Sequence, residues 1–216
     1  MKRIAFLICA GAFVFASCNN DSTADSPKTD SSGNSSNKEE AWVPVPDSVA
    51  MQKMMEYGTP GPMHAMMASW NGTWNSDITM WPKEGAPPQT SKSTAVNSMA
   101  LGGRYQVSKH SGNMMGMPFE GQSTLGYDNA TKEFVSTWTD NMGTGIMLMK
   151  GTWDDGSKTL TLTGTMPDIT RPGKECKLKE TFKVVDDNTQ IMSMYGPDPA
   201  TGKEYKMMEM KMTRKK

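Results

Sequence analysis

Residues 175–184 read Glu-Cys-Lys-Leu-Lys-Glu-Thr-Phe-Lys-Val and alternate between two kinds of side chain. Lysines, with Glu175 and Thr181, occupy every second position, and Cys, Leu, Glu, Phe and Val occupy the others. Successive side chains of a β-strand point to opposite faces. The lysines therefore indicate a solvent-exposed face, and Leu178 and Phe182 indicate a buried one. The segment therefore predicts a strand with one side against a core.

The same alternation continues along the chain from Trp70 to the C-terminus. Runs rich in Thr, Val, Trp and Met are separated by turn residues such as Asp154-Asp155-Gly156 and Asp186-Asp187-Asn188. The pattern predicts ten strands, near residues 71–81, 91–100, 103–111, 118–128, 132–141, 144–153, 157–166, 174–185, 189–196 and 204–214. About ten antiparallel strands joined by short turns tend to close, because closure removes unpaired edges. We therefore predict an all-β, up-and-down barrel, with a two-sheet sandwich as the competing architecture.

One or two short helices are predicted before the first strand. Asp47 or Ser48 can cap a helix that Gly58 ends. After Pro60-Gly61-Pro62, apolar residues at positions 63, 66, 67 and 70 have helical spacing. These helices and the barrel together form the predicted domain, residues 41–216.

The N-terminus has the pattern of an exported lipoprotein. Lys2 and Arg3 precede an apolar run over residues 4–16, which is too short to span a membrane and has the length of a signal-peptide core. Small residues then precede Cys18, as in a lipobox. We predict a signal peptide over residues 1–17, lipid on Cys18 as the membrane anchor, and a disordered polar tether over residues 18–40. An ordinary secretory signal cut nearby is the alternative.

Charge and cysteine content exclude several classes of protein. Without Lys2 and Arg3, 21 basic side chains stand against 23 acidic ones, so no basic excess favours nucleic acid. Of the three cysteines, Cys9 leaves with the signal and Cys18 carries lipid. Cys176 then has no partner for an intramolecular disulfide.

Eight short strings carry a family resemblance. In order along the chain they are Gly61-Pro-Met-His64, Gly72-Thr-Trp74, Gly102-Gly-Arg104, Met117-Pro-Phe-Glu-Gly121, Gly126-Tyr-Asp-Asn129, Ser136-Thr-Trp-Thr-Asp140, Gly143-Thr-Gly-Ile146 and Lys206-Met-Met-Glu209. Together, over roughly residues 50–214, they resemble the bacterial domain of unknown function numbered fifteen-seventy-nine. The resemblance implies an exported calycin-like barrel related to lipocalins, and it supplies no catalytic residue.

Candidate ligand contacts follow from the inward faces of the predicted strands. Glu180 shares the buried face of its strand, so it needs a partner, for which Arg104, Arg171 and Arg214 are available. A structural ion pair and a polar anchor in a ligand cavity both remain open. The other candidate ligand contacts are aromatic or histidine side chains, namely Trp74, Tyr127, Trp138, Phe182 and His64.

Methionine and histidine raise a further possibility, copper or haem. The chain has 22 methionines, and thioethers near His64 suit copper(I). Because the methionines follow the strand period, we favour core filling. His64 can close one barrel end, His110 is predicted to face solvent, and Asp140 to cap a turn.

Two function classes stay open at this stage. The first is an envelope lipoprotein whose barrel binds a small hydrophobic ligand. The second is a structural or protein-interaction module with a filled barrel. No nucleophile elbow, phosphate loop or metalloprotease helix is present, so neither an enzyme nor a cofactor is expected.

Overall fold

A computed structural model describes residues 42–216 and contains two helices followed by ten strands. Helix α1 spans Asp47–Gly58 and α2 spans Pro62–Ser69. The strands are β1 Gly72–Met80, β2 Gln89–Ala100, β3 Tyr105–Met114, β4 Met117–Asp128, β5 Glu133–Asp140, β6 Met147–Asp154, β7 Thr159–Pro167, β8 Glu175–Asp186, β9 Thr189–Pro197 and β10 Glu204–Arg214. The predicted signal peptide, Cys18 and the tether lie outside the described residues.

The ten strands form one closed antiparallel barrel. Each strand pairs with its sequence neighbours, and β1 pairs with β10, where Trp74 stands opposite Arg214. The prediction of a closed up-and-down barrel is confirmed, and the sandwich alternative is wrong. Residues Val45–Lys216 form a compact unit.

Across each pair of neighbouring strands, the register places inward side chains opposite inward side chains. Glu180 pairs with Leu162 of β7 and Met194 of β9, so these side chains share the inner face. Leu178 is buried and Lys177 is exposed, as the alternation in residues 175–184 predicts. Among the described strands, the rule fails only at two β-bulges, between Val184 and Asp186 and between Lys206 and Met208.

Helix α2 closes one end of the barrel, which we call the α2 end. Met67 and Trp70 are buried there with Phe134, Leu160 and Leu178. Buried donors satisfy the last carbonyls of the helix: Trp74 Nε1 donates to Trp70 O at 3.0 Å, and Gln106 Nε2 donates to Met67 O at 2.6 Å. The opposite, open end is formed by the loops after β1, β3, β5, β7 and β9.

A second buried cluster fills the side of the barrel formed by β1, β2, β9 and β10. It consists of Trp74, Ile78, Ala95, Met192, Met210 and Met212. Met210 and Met212 therefore fill the core, as predicted for the alternating methionines of the last strand. The same cluster leaves the Oγ atoms of Ser76 and Ser93 buried without a hydrogen bond.

Core filling is wrong for two other methionine groups. Met51, Met54 and Met55 of α1 are exposed, because α1 buries none of its residues. Met115 and Met117 are exposed at the β3–β4 turn, where Met115 has a positive φ of 52°. Among the described residues, no helix combines the length and apolar character needed to cross a membrane.

Two inward glycines let β6 and β7 come close together. A Cβ at Gly151 would collide with the backbone oxygen of Thr161, and a Cβ at Gly164 would collide with that of Leu148. Gly143, in the loop after β5, has open space around its Cα. The two kinds of glycine offer a matched comparison.

We expect Gly151→Ala to lower the free energy of unfolding by about 2 kcal/mol or more, because the backbone must shift to admit the methyl group. Gly143→Ala should change it by less than about 0.5 kcal/mol. Urea unfolding followed by tryptophan fluorescence measures both. Equal stability of the two variants would mean that the strands do not approach as described.

Candidate functional site

One side of the barrel interior is less tightly filled than the other. Between α2 and the open end, many side chains that the register places inside are only half-buried. They lie mainly on β4, β5, β8 and β9 and are Ser123, Leu125, Ser136, Trp138, Met147, Glu180, Phe182, Met194 and Met208. We call this set the inner site. Its accessible surface faces the barrel interior, since outward positions are occupied by other residues.

Glu180 is the charged group at the centre of the inner site. It lies in the middle of β8, and burial raises the pKa of its carboxyl from 4.5 to about 7. Within residues 42–216, its carboxyl makes no hydrogen bond and no ion pair. The side chain nevertheless keeps accessible surface. A buried carboxyl without a partner costs stability, so its position needs an explanation.

The three arginines predicted as partners of Glu180 are engaged elsewhere. Arg104 is exposed in the β2–β3 turn and donates to Leu101 O at 3.1 Å. Arg171 pairs with Asp168, Nε to Oδ2, at 2.5 Å. Arg214 donates to backbone carbonyls at the α2 end and lies over the Trp74 ring. All three sit in loops or at strand ends, whereas Glu180 is mid-strand, so none of them pairs with Glu180.

His110 lies on the inner wall opposite Glu180, contrary to the prediction that it faces solvent. Strands β3 and β8 are five places apart in the ring of ten. Burial lowers the pKa of His110 from 6.5 to about 4. The exposed Lys109 before it marks the outer face of β3. Because neighbouring side chains alternate, that lysine was the signal that His110 points inside.

Hydrogen bonds fix the tautomer of His110. Ser108 Oγ donates to Asn97 Oδ1 at 2.5 Å, so its single proton is used. The same oxygen lies 2.8 Å from His110 Nε2 and must accept a proton from it. His110 is therefore held as the neutral Nε2–H form, and its ring packs edge-on against Trp138 at 5.1 Å.

Trp138 forms an aromatic wall between His110 and the open end. Its Nε1 donates to Asp140 Oδ2 at 2.6 Å, while Asp140 Oδ1 accepts from the backbone of Met142 at 2.9 Å. Asp140 thus makes the predicted turn and also orients the tryptophan. Gly121 makes room for the ring, since a Cβ there would lie 2.5 Å from Trp138 Cζ2.

The remaining predicted contacts lie at or near the α2 end. Trp74 is fully buried in the second core cluster, and Phe182 packs against Trp70 at 5.0 Å. Tyr127 packs edge-on against His64 at 5.9 Å. Of the candidates, the structure brings only Glu180, Phe182 and Trp138 to the inner site.

His64 is a packing residue of the barrel end. Its Nδ1 accepts from Gly61 N at 3.0 Å, and its ring packs edge-on against the ring of Tyr127. Burial is the main cause that lowers its pKa. The bond to Gly61 N uses Nδ1, so Nε2 is the ring atom of His64 that the copper hypothesis would need as a ligand. In the part of the chain that the structure describes, no three His, Cys, Asp or Glu side chains cluster as metal ligands.

Two concavities also lie on the outer wall. One of about 560 Å³ crosses β6–β8 beside Lys150, Lys177 and Lys179, and one of about 430 Å³ crosses β1–β3. Both are open grooves between long or polar outward side chains. Neither is enclosed in the way that small-molecule pockets typically are.

Comparison with known families places the chain in one of them. Residues 59–214 match the model of a family described as a protein of unknown function, DUF1579. This chain belongs to the DUF1579 family. The match spans α2 and all ten strands, so the resemblance carried by the eight short strings is confirmed.

Solved structures show the same barrel for this DUF1579 member. Rv2717c from M. tuberculosis superposes with a TM-score of 0.53 at 9% identity, over 73% of this chain and 100% of that one. The S-type phycobiliprotein lyase CPES from Guillardia theta superposes with a TM-score of 0.51 at 10% identity, over 76% and 97%. These likenesses show the fold alone. No curated protein matches the sequence.

Glu180 and His110 have opposite effects on stability over nearly the same pH range. The raised pKa of Glu180 gives stability that is full below pH 4.5 and lost as pH rises through about 7. The lowered pKa of His110 gives stability that is full above pH 6.5 and lost as pH falls through about 4.

In the native chain, we therefore expect the pH dependence of stability due to Glu180 and that due to His110 to offset each other between pH 4.5 and 6.5. Glu180→Gln should lose stability on acidification, and His110→Gln should gain it, each by up to about 1.4 kcal/mol per pH unit. Urea unfolding at a series of pH values measures both. Parallel pH profiles for the two variants would contradict the inward placement of these groups.

Proposed function

We propose that this DUF1579 protein is a lipid-anchored envelope protein whose barrel binds a small, mainly hydrophobic ligand at the inner site. The observation that carries the proposal is Glu180. Its carboxyl lies inside the barrel without a hydrogen-bond partner among residues 42–216, yet part of its surface is accessible. A partly accessible carboxyl that makes no hydrogen bond to the described protein is well placed to bond to a molecule that enters.

The walls of the inner site indicate the chemistry of that ligand. Leu125, Trp138, Phe182 and Met194 supply apolar surface, and a few polar groups interrupt it. A mainly apolar pocket with a few placed polar groups is typical of small-molecule sites. Because burial favours the neutral forms of both Glu180 and His110, the site suits an uncharged ligand with few hydrogen-bonding groups.

The comparison with phycobiliprotein lyase also favours a barrel that acts on another molecule over a purely structural one. The competing candidate is a filled barrel that serves as a structural or interaction module. The tight packing of the second core cluster is the observation in its favour. The two candidates differ in whether the inner site admits a probe.

We expect the environment-sensitive dye Nile red to bind the barrel and Ser136→Leu to weaken that binding about tenfold or more, because a larger side chain occupies the inner site. Thr137→Leu is the matched control, since Thr137 neighbours Ser136 but points outward. Fluorescence titration measures both affinities.

A filled barrel would bind the dye weakly or equally well in both variants, and the proposal would then fail. Native mass spectrometry of the chain purified from its producing cell adds an independent readout. A small molecule that co-purifies with the parent chain and is lost in Ser136→Leu supports the site.

The anchor is supported by the order of charges, apolar run, small residues and Cys18 at the N-terminus. We expect Cys18→Ala to move the protein from the membrane fraction to the soluble fraction, because the lipid has no attachment atom. Cys9→Ala, inside the predicted signal, should leave it in the membrane fraction. Immunoblotting of the two fractions after ultracentrifugation gives the result. Membrane association of Cys18→Ala equal to the parent would reject lipidation as the anchor.

A further inference from the structure

Helix α1 presents apolar side chains to solvent along its whole length. None of its twelve residues is buried, and Met51, Met54, Met55 and Tyr57 are each more than half exposed, at 53%, 61%, 60% and 55%. Apolar side chains scattered singly on a surface are ordinary, but a continuous group on one element marks a contact surface.

These residues form one face of an amphipathic helix. At 100° per residue, Ala50, Met51, Met54, Met55 and Tyr57 fall within one side of α1. The other side carries Ser48, Gln52, Lys53 and Glu56, with Val49 as an exposed apolar residue among them, and Glu56 accepts hydrogen bonds from Lys53 at 2.8 Å and Gln52 at 2.9 Å. The polar side chains on that side thus bond to one another, and within residues 42–216 nothing covers the apolar face.

The barrel holds α1 only by its C-terminal end. Asn129, in the β4–β5 turn, donates from Nδ2 to Tyr57 O at 2.9 Å and to Thr59 O at 2.8 Å. This contact fixes the end of α1 beside the α2 end of the barrel. A helix of this length is marginal by itself in water, so a surface that covers its apolar face would stabilise it.

We infer that the apolar face of α1 lies on the lipid bilayer that holds the anchor on Cys18, so that the α2 end faces the membrane and the open end faces away. The inference rests on the anchoring part of the proposed function. Only 28 residues separate Cys18 from Asp47, so α1 lies close to the predicted anchor along the chain.

The lipid anchor explains how a helix as short as α1 can bind the membrane. The anchor makes contact of α1 with the membrane an intramolecular event, so weak hydrophobic contact suffices. Asp47, Lys53 and Glu56 give the helix a net charge of −1. Attraction to anionic lipid is therefore not the driving force, and apolar contact is.

The open end is the competing membrane surface. Its loops expose the apolar side chains of Met115, Met117, Met142, Ile146 and Ile169. These are divided among three separate loops, whereas α1 offers a single continuous face on one helix. A second copy of the chain or another protein on α1 is the other alternative.

The test uses the full chain with its lipid, purified from membranes and reconstituted into vesicles of phosphatidylethanolamine and phosphatidylglycerol. In a Cys176→Ser background, the fluorophore nitrobenzoxadiazole is attached to one new thiol: Met54→Cys on the apolar face, Gln52→Cys on the polar face, or Ile146→Cys at the open end. Lipids with a nitroxide on the acyl chain quench a label that enters the bilayer. Far-UV circular dichroism confirms that each variant is folded.

We expect quenching of the Met54→Cys label to exceed that of the other two by at least about twofold. Stronger quenching at Ile146→Cys would reverse the orientation and overturn the inference. Vesicle-bound protein with no quenching at either helix position would overturn it as well, and would indicate a protein partner if the Met54→Cys label were still shielded from water. Failure of the chain to sediment with vesicles would instead reject the anchor, and the inference with it.

Discussion

Closing ten strands into a ring imposes one constraint on the whole molecule: a side chain that points inside must share a single enclosed space with every other inward side chain. The pairing of β1 with β10 leaves no free edge, so no strand can shift by one residue without exchanging its two faces. Core, inner site and outer wall are all consequences of this alternation. The placement of Glu180 among apolar residues is as fixed by register as the placement of Leu178 beside it.

The shared interior explains why side chains fill one side of the barrel more completely than the other. Large side chains from β1, β9 and β10 meet in the second core cluster, and α2 inserts Met67 and Trp70 into one end. Small inward residues on β4 and β5, such as Ser123 and Ser136, leave surface that these clusters do not cover. The inner site lies where the small residues face Glu180 and Phe182.

Period-two patterning was sufficient to predict the strands and the closure, because it depends only on neighbouring positions. It also predicted the inward direction of Glu180, but not its lack of a partner, because contacts between distant strands depend on register. Arg104, Arg171 and Arg214 occupy turns and strand ends that no local pattern separates from mid-strand positions. His110 is a different case, since Lys109 carried the necessary signal. The exposure of Met54 could not be predicted, because a helical face does not show whether anything packs against it.

The long sequence separation between β1 and β10 has a kinetic consequence. Each of the other strand pairs joins neighbours along the chain and can form by local collapse, but the ring closes only when the last strand has been made and meets the first. Contacts between remote segments pay their loop entropy before they add stability, so folding should be slow and its final step late. Until then β1 and β10 each expose an unpaired edge, and the incomplete barrel is the species most exposed to aggregation.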